Sequence, residues 1–134
     1  MNQKIAQDPY ELIVRLQQKM GSFRAHDEIL TIANPIMDNL MEGSTEINHE
    51  KHTRDFTDRM KKIVTKDYLE KVCKRYQAQW GYFSKLEFVA IFRRPSSVVI
   101  IWKQWCTKQE GEFVAEMVLV EKDSKYLVDS AMVF

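Results

Sequence analysis

LEFVAIFR (Leu86–Arg93), VVIIWKQWC (Val98–Cys106), FVAEMVLVE (Phe113–Glu121) and YLVDSAMVF (Tyr126–Phe134) fill the last third of the 134-residue chain. All four are rich in β-branched and aromatic residues and alternate with a period of two, the pattern of strands. Arg94-Pro95-Ser96-Ser97, Thr107–Glu112 and Lys122–Lys125 separate them. These connectors are short and rich in turn formers, so consecutive strands must be antiparallel neighbours. The expectation is a four-stranded meander.

Centring each turn sets a first register, in which Phe92 faces Val99, Ile101 faces Met117, and Met117 faces Ser130. One face then collects Leu86, Phe88, Ala90, Phe92, Val99, Ile101, Lys103, Trp105, Phe113, Ala115, Met117, Leu119, Val128, Met132 and Phe134, and is expected to meet the helices. The other carries Val89, Ile91, Val98, Ile100, Trp102, Val114, Val118, Val120, Ala131 and Val133, with Glu87, Arg93, Gln104, Glu116 and Asp129 among them. A sheet with one wet face should alternate cleanly between apolar and polar. This second face is apolar in its middle, the pattern of a covered surface with a polar rim. A second copy of the protein or an N-terminal helix would cover it. A homodimer through Val89, Ile91, Val98, Ile100, Trp102, Val114, Val118 and Val120 is the reading preferred here.

Upstream of the sheet the period is helical. Asp8-Pro9-Tyr10-Glu11 is a helix start, and Leu12, Ile13, Leu16 and Met20 follow before Gly21. From Asp27, the residues Ile29, Ile32, Ala33, Ile36, Met37, Leu40 and Met41 hold the helical repeat until Gly43, with Pro35 inside it. A kink at Pro35, or a fresh start capped by Asn34, is expected. A third helix is predicted from about Ile47 to Val64, and a fourth from Thr65, striped by Tyr68, Leu69, Val72, Cys73, Tyr76 and Trp80 and ended by Gly81. Residues 1–26 read as an extension with a short amphipathic helix, and 27–134 as a single α+β domain.

Composition narrows function mainly by exclusion. Twenty Lys and Arg against 19 Asp and Glu leave a formal charge of +1, so no global field would gather nucleic acid or an anionic membrane. Two cysteines, Cys73 and Cys106, are too few for a disulfide framework and read as small buried apolar residues. The N-terminus lacks the apolar core of a signal peptide, and no apolar run approaches the ~20 residues that cross a bilayer. The expected location is the cytoplasm. No nucleotide loop, metal cluster or catalytic motif is present, and no cofactor is expected.

Several helices with a bent course, followed by an antiparallel sheet closing over them, resemble the nuclear-transport-factor-2-like (cystatin-like) superfamily. The stretches Leu40-Met41-Glu42-Gly43, Asp55-Phe56-Thr57-Asp58-Arg59-Met60-Lys61, Val64-Thr65-Lys66-Asp67 and Trp80-Gly81-Tyr82-Phe83 are similar to a bacterial branch of it whose function is unknown. The likeness spans roughly Asp27 to Phe134. It implies helices packed on a curved four-stranded sheet with a pocket on the concave side, and it says little about activity.

Two clusters carry chemical possibilities. His49 and His52, spaced i, i+3 beside Glu46 and Asp55, have a spacing that can serve one metal, but Glu50 and Lys51 mark the turn as solvated. Lys103 lies on the face assigned to the core, where it either snorkels or lines a pocket. The pocket residues expected are Lys103, Tyr68, Tyr76, Asp55 and His52. An apolar concave face with no paired acid and base leads to a non-catalytic binding or interaction domain, with a small molecule as its open ligand. The rival is a pocket enzyme, an isomerase, dehydratase or hydrolase of small organic molecules.

Overall fold

Three threonine- or asparagine-capped helix starts and one long helical repeat organise the helical layer. The computed structural model describes residues 26–134. Its elements are α1 (His26–Glu46), α2 (His49–His52), α3 (Asp58–Ile63), α4 (Lys66–Trp80), β1 (Phe83–Arg93), β2 (Val98–Cys106), β3 (Phe113–Lys122) and β4 (Lys125–Val133). The helix expected over Pro9–Met20 lies outside the described residues, as does the expected extension up to residue 25, and His26 already belongs to α1.

Helix α1 runs unbroken through Pro35. Pro35 and Thr31 are both exposed, so the carbonyl that Pro35 cannot serve faces water. Asn34 does not cap a new start; its Oδ1 accepts the Trp102 indole N–H at 3.3 Å. Ile29, Ala33, Met37, Leu40, Met41 and Ser44 form the buried stripe. Gly43, expected as the stop, is inside the helix. A Cβ there would lie 2.6 Å from the backbone nitrogen of His52, so glycine lets α2 press against α1. The stop comes at Ile47, which takes a left-handed φ of 52°. Asn48 N–H then reaches the Gly43 carbonyl at 2.8 Å and Ile47 N–H the Ser44 carbonyl at 3.1 Å, a Schellman closure.

The single helix expected from Ile47 to Val64 is two. Asn48 caps α2 and Thr57 caps α3, and the chain between them turns over Thr53–Asp55 and is pinned to β4 at Phe56. Val128 N–H donates to the Asp55 carbonyl at 2.7 Å, and Thr57 N–H to the Val128 carbonyl at 3.0 Å. Phe56, 3% exposed between them, is driven into the core, and that burial outweighs helical continuity. Thr65 caps α4 as expected, and Gly81, at φ 80°, ends it where any side chain would strike Thr107.

The sheet is the expected meander, in the order β1-β2-β3-β4, and the architecture is α+β, helices followed by a curved antiparallel sheet. Its register differs from the centred one. Ile100, not Ile101, faces Met117, and Trp102 faces Ala115. A one-residue slip moves every side chain of β2 to the other face. Val98, Ile100, Trp102 and Gln104, assigned to the outer face, are therefore buried under the helices, each no more than 2% exposed. Three register shifts interrupt the ladders, the first between Phe83↔Cys106 and Leu86↔Gln104 at the start of β1. Val89 is extra in β1, between Phe88↔Trp102 and Ala90↔Ile101, and Asp129 in β4, between Val118↔Ser130 and Leu119↔Val128. Beyond them Ile91, Ala131 and Val133 turn inward and pack on the core, whereas Phe92, Met132 and Phe134 turn out and are more than half exposed. The assignment of β3 holds along its length: Ala115, Met117 and Leu119 are buried.

Candidate functional site

Helix α4 presents two adjacent stripes to the rest of the fold. Leu69, Cys73, Tyr76 and Trp80 form the deeper one, and Tyr68, Val72, Arg75 and Gln79 the shallower, both at i, i+3 and i, i+4 spacing. The deep stripe meets α1 and the sheet only in part. Tyr76 stacks on Phe83 at 4.7 Å, and Trp80 leans on Phe113 at 4.7 Å. Between α4, the α1 stripe, the Phe56–Val64 segment and the end of β4 remains a cavity of about 480 Å³. Its depth is formed by apolar groups, among them Met37, Met41, Phe56, Met60 and Leu69. Ile63, Tyr68 and Met132 are half exposed where it opens.

A small polar cluster interrupts this lining. Ser44 Oγ lies 2.5 Å from the Tyr76 hydroxyl and 3.4 Å from Cys73 Sγ. Burial pushes both the Tyr76 phenol and the Cys73 thiol up, against the hydrogen bond from Ser44. Cys73 thus stays a thiol and is no ready nucleophile. His52 also lines the cavity, with Nδ1 2.9 Å from the Leu40 carbonyl and its ring edge-on to Phe56. A carbonyl only accepts, so Nδ1 carries the proton. Burial lowers the imidazole below its ordinary value despite that bond, which leaves neutral His52 with its lone pair on Nε2.

Of the five residues expected to line a pocket, His52, Tyr68 and Tyr76 do so. Asp55 does not: its carboxylate is 2.8 Å from Arg54 Nη2, and its carbonyl serves β4. Lys103 does not either. The β2 register carries it to the outer face, where Nζ lies 3.3 Å from Glu112. No two of the five share a hydrogen bond among the described residues. The histidine pair is split, because His49 Nε2 is 2.8 Å from the Val64 carbonyl while His52 turns to α1.

Of the residues expected at a dimer interface, Val98, Ile100 and Trp102 belong to the core and Ile91 packs against it. Val114, Val118 and Val120 are half-buried on the outer face, and Val89 is exposed at its bulge. Ser44 and Arg75 were missed as lining residues. Ser44 lies past the helix end expected at Gly43, whereas the Tyr68, Val72, Arg75, Gln79 spacing was available as a second helical stripe.

A search of solved structures matches this arrangement to a designed nuclear-transport-factor-2-like protein. The TM-score is 0.56 at 13% identity, over 80% of this chain and 99% of that one. The fold is nuclear-transport-factor-2-like. Bd1075 of Bdellovibrio bacteriovorus is similar at TM-score 0.50 and 11% identity over 81% of this chain, which spans 41% of its length. A DUF4783 family protein from Bacteroides uniformis is similar at TM-score 0.46 and 12% identity, over 72% of this chain and 93% of that one. No protein-family model and no curated protein matches the sequence. In this nuclear-transport-factor-2-like fold the cavity lies where helices and concave sheet part. Among the described residues no helix is long and apolar enough to cross a membrane.

Proposed function

We propose that the protein is a non-catalytic binding domain whose cavity takes an apolar small molecule. The observation behind this is the cavity of about 480 Å³, within the range of ligand pockets and lined by methionines and aromatics with a few polar groups. Methionine adapts to irregular ligand shapes, which suits a site of this lining. Nile red, a neutral solvatochromic dye, is expected to bind with a blue-shifted emission. Val72→Trp, placing a large ring in the mouth, is expected to abolish that signal while circular dichroism and melting temperature stay close to those of the parent. Absence of dye binding in the parent, or undiminished binding in the variant, overturns the reading.

The second part of the proposal is association of two copies through the outer sheet face. Phe92, Ile101, Val114, Val118 and Met132 share that face by register, a more apolar set than a wet surface carries. A pocket enzyme is the rival reading, and it rests on the neutral His52 at the cavity wall. Unaltered protein that leaves every bound small molecule unconverted supports the binding domain, whereas a conversion that His52→Gln abolishes while ligand affinity stays would favour the enzyme.

A further inference from the structure

We infer that the ligand of this cavity is a monoanionic amphiphile, an apolar chain or ring ending in a carboxylate that Arg75 holds at the mouth. The inference rests on the binding reading above and adds the ligand's chemical class. Among the described residues lining the cavity there is no aspartate or glutamate, and Arg75 is the only side chain with a fixed charge. His52 is neutral and committed to Leu40.

Neighbouring cations on α4 are spoken for. Lys71 lies 3.2 Å from Asp67 and Lys74 3.0 Å from Glu70, each one turn back. Arg75 is exposed and has no such partner among the described residues. Its stripe along α4 carries Tyr68, Val72 and Gln79, so the guanidinium sits on a rim that is otherwise apolar or neutral. A carboxylate there gains a charge-assisted, bidentate partner, and no lining carboxylate repels it. The tail would follow the apolar depth towards Met37, Met41, Phe56 and Met60. An alkylammonium of the same tail would meet the wrong charge.

Isothermal titration with decanoate, 1-decanol and decyltrimethylammonium, all below their aggregation concentrations, tests this. Decanoate is expected to bind about tenfold tighter than decanol, with decyltrimethylammonium weakest. Arg75→Met keeps the apolar stem and is expected to remove the decanoate preference, with decanol affinity unchanged within about twofold. Raising the salt should weaken decanoate and spare decanol. Equal affinity for decanoate and decanol in the parent, or a preference that survives in Arg75→Met, overturns the inference and leaves the apolar binding site standing. If none of the three binds, the binding reading falls as well.

Discussion

His52 shows how one side chain can join fold and site. It is pressed under Gly43 of α1, bonded to Leu40, packed edge-on to Phe56 and part of the cavity wall. Burial holds its pKa below the ordinary 6.5. The unfolded chain therefore takes up the proton first as pH falls, and stability must decline with it. The contribution is whole above about pH 6.5 and is lost as pH falls through the lower folded value. Melting temperatures between pH ~7.5 and ~5 should fall, and His52→Gln should flatten that dependence, although it lowers the plateau by removing a buried ring. An unchanged slope in the variant would place the effect elsewhere. Gln104 is the opposite case among buried polar residues. Its Nε2 donates to the Lys85 and Trp105 carbonyls at 3.0 and 2.8 Å, while its buried Oε1 has no partner among the described residues.

At the scale of elements, the junction of α3 with β4 decides where the cavity wall stands. Thr57 does three jobs there. Its Oγ1 caps α3 by accepting from Met60 N–H, the same hydroxyl donates to Asp129 at 2.9 Å, and its N–H bonds the Val128 carbonyl. Arg59 joins the cluster through Asp129, whose carboxyl is held below its usual range first by Arg59 and then by Thr57. Thr57→Ala loses the cap and the bond to Asp129, and is expected to cost about 1–2 kcal/mol in urea unfolding. Thr57→Ser retains both bonds and should recover most of that loss. A serine variant as unstable as the alanine one would mean that the methyl group, not the hydroxyl, matters.

Among the described residues the sheet has two apolar faces, the helix-facing core and the outer one. Each of the larger outer side chains gains on the order of 1.5–3 kcal/mol if buried. A two-fold interface covers one self-complementary patch on both copies at once. Light scattering at tens of micromolar is expected to give twice the chain mass, and Val118→Lys, at the middle of β3, should give the mass of one chain. A single-chain mass for the unaltered protein would end this reading.

Residue order alone determined the α+β architecture, the meander, the four strands and the caps at Thr65 and Gly81, because local periodicity and turn chemistry act within a few residues. The stripe on α1 and the deeper one on α4 were legible for the same reason, and with Tyr76 and Tyr68 part of the cavity wall came too. Which face of β2 is inside was decided only by the tertiary structure. The long Thr107–Glu112 turn is compatible with either register, and packing of Trp102 and Ile100 under α1 selects one. The bulges at Val89 and Asp129 then reverse the ends of β1 and β4. That single choice moved Lys103 from pocket to outer face and Val98 from interface to core. Likewise the break between α2 and α3 follows from Phe56 and Val128, 72 positions apart, a contact that no local pattern encodes.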